Sequence, residues 1–376
     1  MTDPATPTSG GAPAAAAGPA LAPELIVSSS PHVATPDSVP RIMRSVWLSL
    51  LPACAVAAWF FGRDALVVIG VTVLGCVVCE TLFLKARGRS WTEARAAALD
   101  GSAVVTGVLL ALNLPAGSPW WMLLVGAFVA MFLGKHVFGG LGCNPFNPAL
   151  VARVFLLIAF PAQMLTWSAP VERFAQSTEE RIAADMHELD GLTYATPLGK
   201  LKQTLRTGAD PTQVARIRAQ MREQHPTLDL FLGRHGGSLG EVSVLALLLG
   251  AAFLLLRRII TWHIPLSFIG ATAAITAPAW ALKPDVHVDP LYHLFSGGLI
   301  LGAFFMATDM VTSPVTRKGM LIFGAGCGAI TAVIRLWGAY PEGVSFAILI
   351  MNALVPILDR HARDRRFGEA RRRAAA

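Results

Sequence analysis

Charged residues are scarce in this sequence of 376 residues. Asp, Glu, Lys and Arg make up 15% of it, whereas 54% of the residues are apolar and the mean hydropathy is +0.54. Soluble globular domains carry about 25% charged residues. The net charge of +7 does not indicate nucleic-acid binding, because the basic residues lie in short clusters between apolar runs. The composition predicts a membrane protein without a nucleic-acid partner.

Cysteine is also scarce, and its placement excludes two kinds of site. The five cysteines are an odd number scattered through apolar segments, so they do not form a disulfide framework. Cys76 and Cys79 form a CxxC pair inside an apolar run, but no second pair accompanies them, so we expect no metal site there. The sequence supplies no iron–sulfur ligand set and no Gly-x-Gly-x-x-Gly after a strand, so we expect no dinucleotide site either.

The first 30 residues carry almost no charge. They are rich in Ala, Pro, Gly, Ser and Thr, and such a segment cannot bury enough apolar surface to fold. No basic region leads into a short apolar stretch, so a cleaved signal peptide is not expected. We interpret residues 1–40 as a disordered cytoplasmic tail and residues 359–376 as a basic cytoplasmic tail.

Long apolar runs fill most of the remaining chain. A membrane-spanning helix needs about 20 predominantly apolar residues, and we predict an all-α polytopic protein with about ten spans, of which the third is short. These define a first membrane half at 41–164, a hydrophilic loop at 165–240 and a second membrane half at 241–358. The spans are 43–61, 65–84, 101–115, 120–138, 147–164, 241–257, 262–282, 293–312, 320–338 and 343–358.

The short loops between these spans predict the orientation. Lys and Arg collect in every second loop and at both ends of the chain, and such loops face the cytoplasm. We therefore expect both termini to be cytoplasmic, the 165–240 loop to be periplasmic, and the protein to lie in a bacterial inner membrane. Five spans in each half would also make the halves inverted repeats, if they are repeats. The basic positions are Arg41, Arg44, Lys85, Arg87, Arg89, Arg95, Lys135, Arg257, Arg258, Arg317 and Lys318.

A short motif in the 165–240 loop has an exposed hydroxyl. Residues 190–198 read Asp-Gly-Leu-Thr-Tyr-Ala-Thr-Pro-Leu, in which Asp190-Gly191 favours a turn. Pro197 holds Thr196 extended. From these residues alone, a polar turn without chemistry is the favoured interpretation.

The segment Asn144-Pro145-Phe146-Asn147-Pro148 predicts a helix start. Asparagine is a good N-cap and proline suits the first helical position, so Asn144 and Asn147 are both candidate caps. A helix start also presents bare amide groups to a ligand. A cap packed on its neighbours and a ligand site are equally compatible with the pattern.

Two acidic residues lie in or beside apolar spans. Glu80 is near the end of the second span and Asp309 near the end of the eighth. Intramembrane carboxylates are costly and are functional candidates by default, so both are candidates for a cation pathway. The alternative is a structural ion pair with a nearby base, Lys85 for Glu80 or Arg317 for Asp309.

The chain from about 40 to 358 resembles the membrane flavoprotein subunits of the Rnf and sodium-pumping quinone reductase complexes, the NqrB/RnfD family. Residues 190–198 resemble the family's Asp-Gly-x-Ser/Thr-x-Ala-Thr-Pro-Leu signature, with Thr193 where serine is common. Residues 139–150, Trp262-His263-Ile264-Pro265 and Thr308-Asp309 are further matches. The resemblance implies covalent FMN on Thr196 through a phosphoester, within a motif that includes Asp190 and Thr193.

The same resemblance implies further cofactors and partners. It implies non-covalent riboflavin near Asn144 and Asn147, and cation uptake at acidic positions matching Glu80 and Asp309. The chain would be an electron-transport subunit of a redox-driven, ion-translocating ferredoxin:NAD oxidoreductase, working with the A, B, C, E and G subunits, membrane lipid and the flavin transferase that attaches FMN. It would not be catalytically complete alone.

Two other functions compete with electron transfer. Asn147-Pro148-Ala149 is similar to the half-helix motif of water channels, but those need two copies, and the second half has Thr308-Asp309-Met310 instead. A passive anchoring subunit is the other alternative. Covalent flavin would separate electron transfer from both.

Overall fold

The computed structural model describes residues 37–98, 100–167, 227–233, 237–241, 243–284, 287–338, 340 and 342–362. The described residues from Val39 onward form one compact unit. The described residues form helices joined by short turns, as the sequence predicts for an all-α membrane protein. The predicted terminal tails and most of the 165–240 loop, including Asp190, Thr193 and Thr196, lie outside the described residues.

The described residues of the first half form seven helices and one π-helical turn. Helix α5 continues directly into the π turn at Phe132–His136. The helices are α1 (Val39–Phe61), α2 (Arg63–Ala86), α3 (Trp91–Ala98), α4 (Ser102–Leu112), α5 (Trp120–Met131), α6 (Pro148–Ala159) and α7 (Pro161–Met164).

The second half follows a short helix from the end of the loop, α8 (Thr227–Leu232). Its π turn, Gly302–Met306, again extends a helix. The helices are α9 (Val244–Leu256), α10 (His263–Leu282), α11 (Pro290–Phe295), α12 (Leu299–Leu301), α13 (Arg317–Trp337) and α14 (Val344–His361).

Each of the ten predicted spans contains helix, but not all are full-length. Five described helices, α1, α2, α10, α13 and α14, are long and apolar enough to cross a membrane, or six spans if the bent pair α3–α4 is one. The other segments are shorter apolar helices or broken ones. The predicted eighth span, for example, is interrupted at Ser296–Gly298, where Gly297 adopts a φ of 73° that favours glycine. The predicted multi-pass architecture is confirmed. The breaks within the helical segments are features that the sequence did not predict.

The two halves pack in the same order. In the first half, α2 contacts α5 and α5 contacts α6; in the second, α10 contacts α13 and α13 contacts α14. Glycine permits close approach in both: a Cβ on Gly107 of α4 would lie 2.7 Å from Cα of Val73, and one on Gly328 would overlap the carbonyl oxygen of Phe268. This order is what a repeat requires, whereas an inverted relation between the halves stays a prediction.

Alternate loops gather at opposite ends of the bundle. At the end where basic residues are concentrated, Arg87 Nη1 donates to the carbonyl of Gly139. At the other end, the amide of Gly240 donates to the carbonyl of Leu112 over 2.7 Å, and that of Leu239 to Leu114. The segment at 237–241 therefore closes the end of α4. These contacts join the second predicted loop to the fourth, and the fifth to the end of the third span. The side of the membrane that each end faces stays a prediction.

Candidate functional site

A cavity opens at the basic end of the bundle, between the two halves. It encloses about 100 Å³ and opens at its mouth. Its walls are mostly apolar, and side chains such as Leu109, Ile260, Phe304 and Phe305 line it. The polar lining residues are Ser102, Thr106, Lys135, Asn144, Asn147, Thr308 and Asp309.

Asn147 is the N-cap of α6, as predicted. Its side-chain oxygen accepts hydrogen bonds from the amides of Ala149 and Leu150, with Pro148 at the first helical position. Its amide nitrogen donates to the carbonyl of Met306, which ends the second π turn. Because both ends of this side chain are engaged, Asn147 connects the start of α6 to the second half across the cavity.

Asn352 of α14 completes this junction. With its amide oriented to satisfy its neighbours, it accepts from the backbone N–H of Asn147 at 3.2 Å and donates to the carbonyl of Thr312 at 3.1 Å. Asn352 is 2% exposed, so these bonds hold in a region without bulk water. The cavity floor is thus a fixed polar junction between the halves.

The prediction that Asn144 caps a helix is wrong. No helix starts at Pro145; the described helix begins at Pro148. The ring of Pro148 disfavours the helical conformation of Asn147, so a helix could not run from Pro145 through it. Asn144 instead donates its amide to the carbonyl of Phe146 at 3.1 Å and lines the cavity.

Glu80 is paired, but not with Lys85. Lys135 Nζ lies 2.9 Å from each carboxylate oxygen of Glu80 and donates to the hydroxyl of Ser102 at 2.8 Å. His136 Nε2 lies 3.1 Å from Glu80 Oε2. Glu80 and Lys135 are 4% and 2% exposed. The prediction of Lys85 as the partner is wrong, because Lys85 lies in the exposed last turn of α2, whereas Glu80 lies on the buried face of that helix. A role of Glu80 in ion movement stays a prediction.

Asp309 also lacks the partner proposed for it. Its Oδ1 accepts from the amide of Val311 at 3.4 Å and its Oδ2 from the hydroxyl of Thr312 at 3.2 Å. Among the ion pairs of the described residues none includes Asp309 or Arg317. Asp309 is partly exposed on the cavity wall. It therefore presents a carboxylate to the cavity without a basic side chain bound to it.

The predicted site residues that the structure describes lie at or next to this cavity. Asn144, Asn147 and Asp309 line it, and Glu80 reaches it through Lys135 and Ser102. Apolar walls with a few convergent polar groups are typical of small-molecule sites. In the described part of the chain no group of three His, Cys, Asp or Glu side chains could hold a metal.

Sequence reasoning missed the role of Lys135, which it counted as a loop charge. The residue is buried at the π turn that ends α5. A single lysine within the apolar run 120–138 could have indicated a buried partner for an intramembrane acid. It also missed Arg153, which lies in the middle of an apolar segment and binds Glu342.

Comparisons with known proteins identify the family of this chain. Residues 26–368 match the model of the NQR2, RnfD, RnfE family. The D subunit of the ion-translocating oxidoreductase complex of Stutzerimonas stutzeri is 46% identical, covering 88% of this chain and 93% of that protein.

Two further relatives differ in the ion that their names give. The D subunit of the Na⁺-translocating ferredoxin:NAD⁺ oxidoreductase complex of Acetobacterium woodii is 42% identical, covering 92% of this chain and 95% of that protein. The proton-translocating counterpart of Clostridium ljungdahlii is 40% identical, covering 92% and 96%. With a family match over most of its length and relatives of this identity, the chain is a multi-pass membrane protein that belongs to the NQR2, RnfD, RnfE family.

Proposed function

We propose that this chain is the D subunit of an Rnf-type ion-translocating oxidoreductase complex, in which it carries flavin and relays electrons. The observation that carries the proposal is the convergence of Asn144, Asn147, Asp309 and the Glu80–Lys135 pair on one cavity between the halves. The names of the relatives support it, since they describe the D subunits of ion-translocating or ferredoxin:NAD⁺ oxidoreductase complexes. The A, B, C, E and G subunits are the expected partners, with membrane lipid around the apolar helices.

Two flavins fit this function. Covalent FMN would be joined to Thr196 by a flavin transferase, with Asp190 and Thr193 in the same motif. Riboflavin would occupy the cavity, where the apolar walls accept the ring system and Asn144 offers a side-chain amide. When bound, flavin supplies the redox chemistry, while the protein supplies position and a water-poor environment.

The cavity also supports ion coupling. Asp309 offers carboxylate oxygens, which suit a hard cation or a proton equally. Relatives of similar identity are named for sodium and for protons, so sequence identity does not indicate which of the two ions is moved. In this proposal the cavity lies on the cytoplasmic side of a bacterial inner membrane, both termini are cytoplasmic, and the 165–240 loop is periplasmic.

The proposed function is tested by the flavin on Thr196. Thr196→Ala in the full chain, co-expressed with the flavin transferase, should abolish the yellow fluorescence that survives denaturation on a gel. Thr193→Ala is the matched control, because it removes a neighbouring hydroxyl of the same motif and should lower attachment only in part. Full fluorescence after Thr196→Ala would contradict the attachment site, and its absence from the wild type would contradict the flavoprotein function.

A further inference from the structure

A second buried polar cluster lies away from the cavity, around Arg153. The Nη2 atom of Arg153 is 3.9 Å from Glu241 Oε1 and makes a closer ion pair with Glu342 Oε2. Its Nη1 atom donates to the hydroxyl of Ser345 at 2.7 Å. Glu241 belongs to the segment that closes the far end of α4, and Glu342 lies between α13 and α14. The cluster is therefore at the end of the bundle opposite the basic loops.

The break between α11 and α12 covers this cluster. A Cβ on Gly297 would lie 3.1 Å from Glu342 Oε1, and one on Gly298 would lie 3.8 Å from Glu241 Oε1. Bare backbone thus lies directly over both carboxyl groups. Unwound helical segments next to buried ionisable groups are a recurrent feature of ion sites in transporters.

Hydrogen bonding in the cluster is incomplete. Glu241 Oε1 and Glu342 Oε1 are buried without a hydrogen-bond donor among the described residues, although the two carboxyl groups are within hydrogen-bonding reach of each other. Buried polar atoms are nearly always partnered. Two carboxyl groups within hydrogen-bonding reach of each other can satisfy one another if one proton lies between them.

The distribution of positive charge favours the same arrangement. Arg335 donates to the backbone carbonyls of His293 and Ser296, and not to either carboxylate. Arg153 is then the one guanidinium that contacts both acids in the described structure. Arg335 acts on both carboxyl groups through space and not by a hydrogen bond. The carboxyl group of Glu241, 3.9 Å from Arg153, therefore has no closely bound cation, and a buried carboxylate without one is costly.

We propose that Glu241 and Glu342 share one proton, a carboxylic acid on Glu241 donating to the carboxylate of Glu342, and that this pair exchanges its proton with water as a second ion site. The exchange role rests on the proposed function. Loss of the proton leaves two carboxylates beside Arg153, with Arg335 and His293 as the neighbouring ionisable residues, and uptake of a proton restores the pair. The side chain of Glu342 is 11% exposed and that of Glu241 1%, so the proton reaches water through Glu342.

The pair is connected to the cavity through two helices. Arg153 lies six residues after Asn147 on α6, a rise of about 9 Å. Ser345 and Asn352 are seven residues apart on α14, hence on the same face, and bind Arg153 and Asn147 respectively. The Arg153 cluster and the Asn147–Asn352 junction are therefore held by the same two helices, α6 and α14. A change of charge in the cluster acts on the helices that position the residues of the cavity.

Infrared spectroscopy of the purified full chain tests the shared proton directly. A protonated carboxyl has a C=O stretching band that an ionised carboxylate lacks. We expect this band to be lost in Glu241→Gln and kept in Glu93→Gln, a control at an exposed glutamate. A band that does not change in Glu241→Gln, or that is missing from the wild type, would overturn the proposal.

Thermal unfolding of two matched variants gives an independent test. The amide of Glu241→Gln can replace the proton and donate to Glu342, so its unfolding midpoint should stay close to that of the wild type. Glu342→Gln removes the close anionic partner of Arg153 and should lower the midpoint clearly. Equal losses in the two variants would mean that both carboxylates are ionised, which contradicts a shared proton.

The exchange role is measured in vesicles that contain the whole complex. Glu241→Gln should retain bound flavin and electron transfer, but the number of ions moved per electron should fall, because an amide cannot release the proton. An unchanged ratio would overturn the exchange role. A complex without flavin or electron transfer in the wild type would instead contradict the proposed function, and the infrared result would still stand.

Discussion

Glu80 and Asp309 are intramembrane acids in different halves of the bundle, and their surroundings differ. Lys135 contacts both oxygens of Glu80 at 2.9 Å, with His136 beside it. Asp309 receives hydrogen bonds from the Val311 amide and the Thr312 hydroxyl. The first acid is compensated by a buried base, whereas the second faces the cavity with neutral donors.

This difference indicates different roles for residues that look equivalent in the sequence. A buried carboxylate that is already bound to lysine contributes to the packing of α2 against the π turn, and its removal leaves a charge without a partner. A carboxylate held by neutral donors has no bound basic side chain that a cation in the cavity would have to displace. The comparison predicts that changes in the first half mainly affect stability and changes at Asp309 mainly affect ion binding.

The largest expected effect is on the Glu80–Lys135 pair. Lys135→Met leaves the Glu80 carboxylate buried without its main partner, and we expect a loss of about 3–5 kcal/mol in the free energy of unfolding. The measurement is denaturant unfolding of the purified chain in detergent. Glu80→Gln should cost a similar amount, because it leaves Lys135 unpaired.

Two controls separate this pairing from a general loss of charge. Lys85→Met removes a lysine from the exposed end of α2, the helix that carries Glu80, and should change stability little. The double variant Glu80→Gln/Lys135→Met should lose less than the sum of the single losses, since it removes both charges. Additive losses would mean that the two residues do not stabilise each other.

Asp309→Asn should affect ion binding rather than stability, unlike the variants of the Glu80–Lys135 pair. The asparagine oxygen can still accept from the Val311 amide, and its amide nitrogen can donate to the Thr312 hydroxyl in place of the bond that Thr312 donated. The charge is removed, so stability should stay nearly unchanged. The ion concentration that gives half-maximal turnover of the complex should rise about tenfold, equivalent to about 1.4 kcal/mol. Turnover is measured against sodium at fixed pH and against pH at fixed sodium. If neither dependence moves while flavin content is intact, Asp309 does not take part in ion binding.

The sequence predicts the membrane class, the positions of the helical segments and the cap at Asn147, because these depend on local apolar runs and on Asn-Pro chemistry. It does not predict the partner of Glu80. Lys85 is five residues away on the same helix, but Lys135 lies 55 residues further along the chain, and only tertiary packing brings it to α2. The wrong cap at Asn144 is different, because Pro148 is visible in the sequence and its effect on the preceding residue already favours Asn147 over Asn144.

Asn144 is held by fewer contacts than the other polar residues of the first half that lie at the cavity. Its amide donates to Phe146 and it lines the cavity, whereas Asn147 is engaged at both ends. We expect Asn144→Ala to lower the non-covalent flavin released on denaturation and to raise its dissociation constant about tenfold, the effect of about 1.4 kcal/mol of lost binding energy. Cys143→Ser, at an exposed neighbouring position, should retain the flavin. Equal flavin in both variants would place the ligand elsewhere.

The smallest expected effects come from the hydroxyl groups beside the two acids. Ser102 accepts from Lys135 and donates to Asp100 at 2.6 Å, so Ser102→Ala should cost about 1 kcal/mol of stability without changing the ion dependence of turnover. Thr312→Val removes a donor to Asp309 at similar volume and should cost about the same, but it should also shift the ion dependence, because the carboxylate loses one of its two hydrogen bonds. Unfolding and turnover measured on both variants decide the matter: a shift in ion dependence after Ser102→Ala but not after Thr312→Val would reverse the assignment of roles to the two halves.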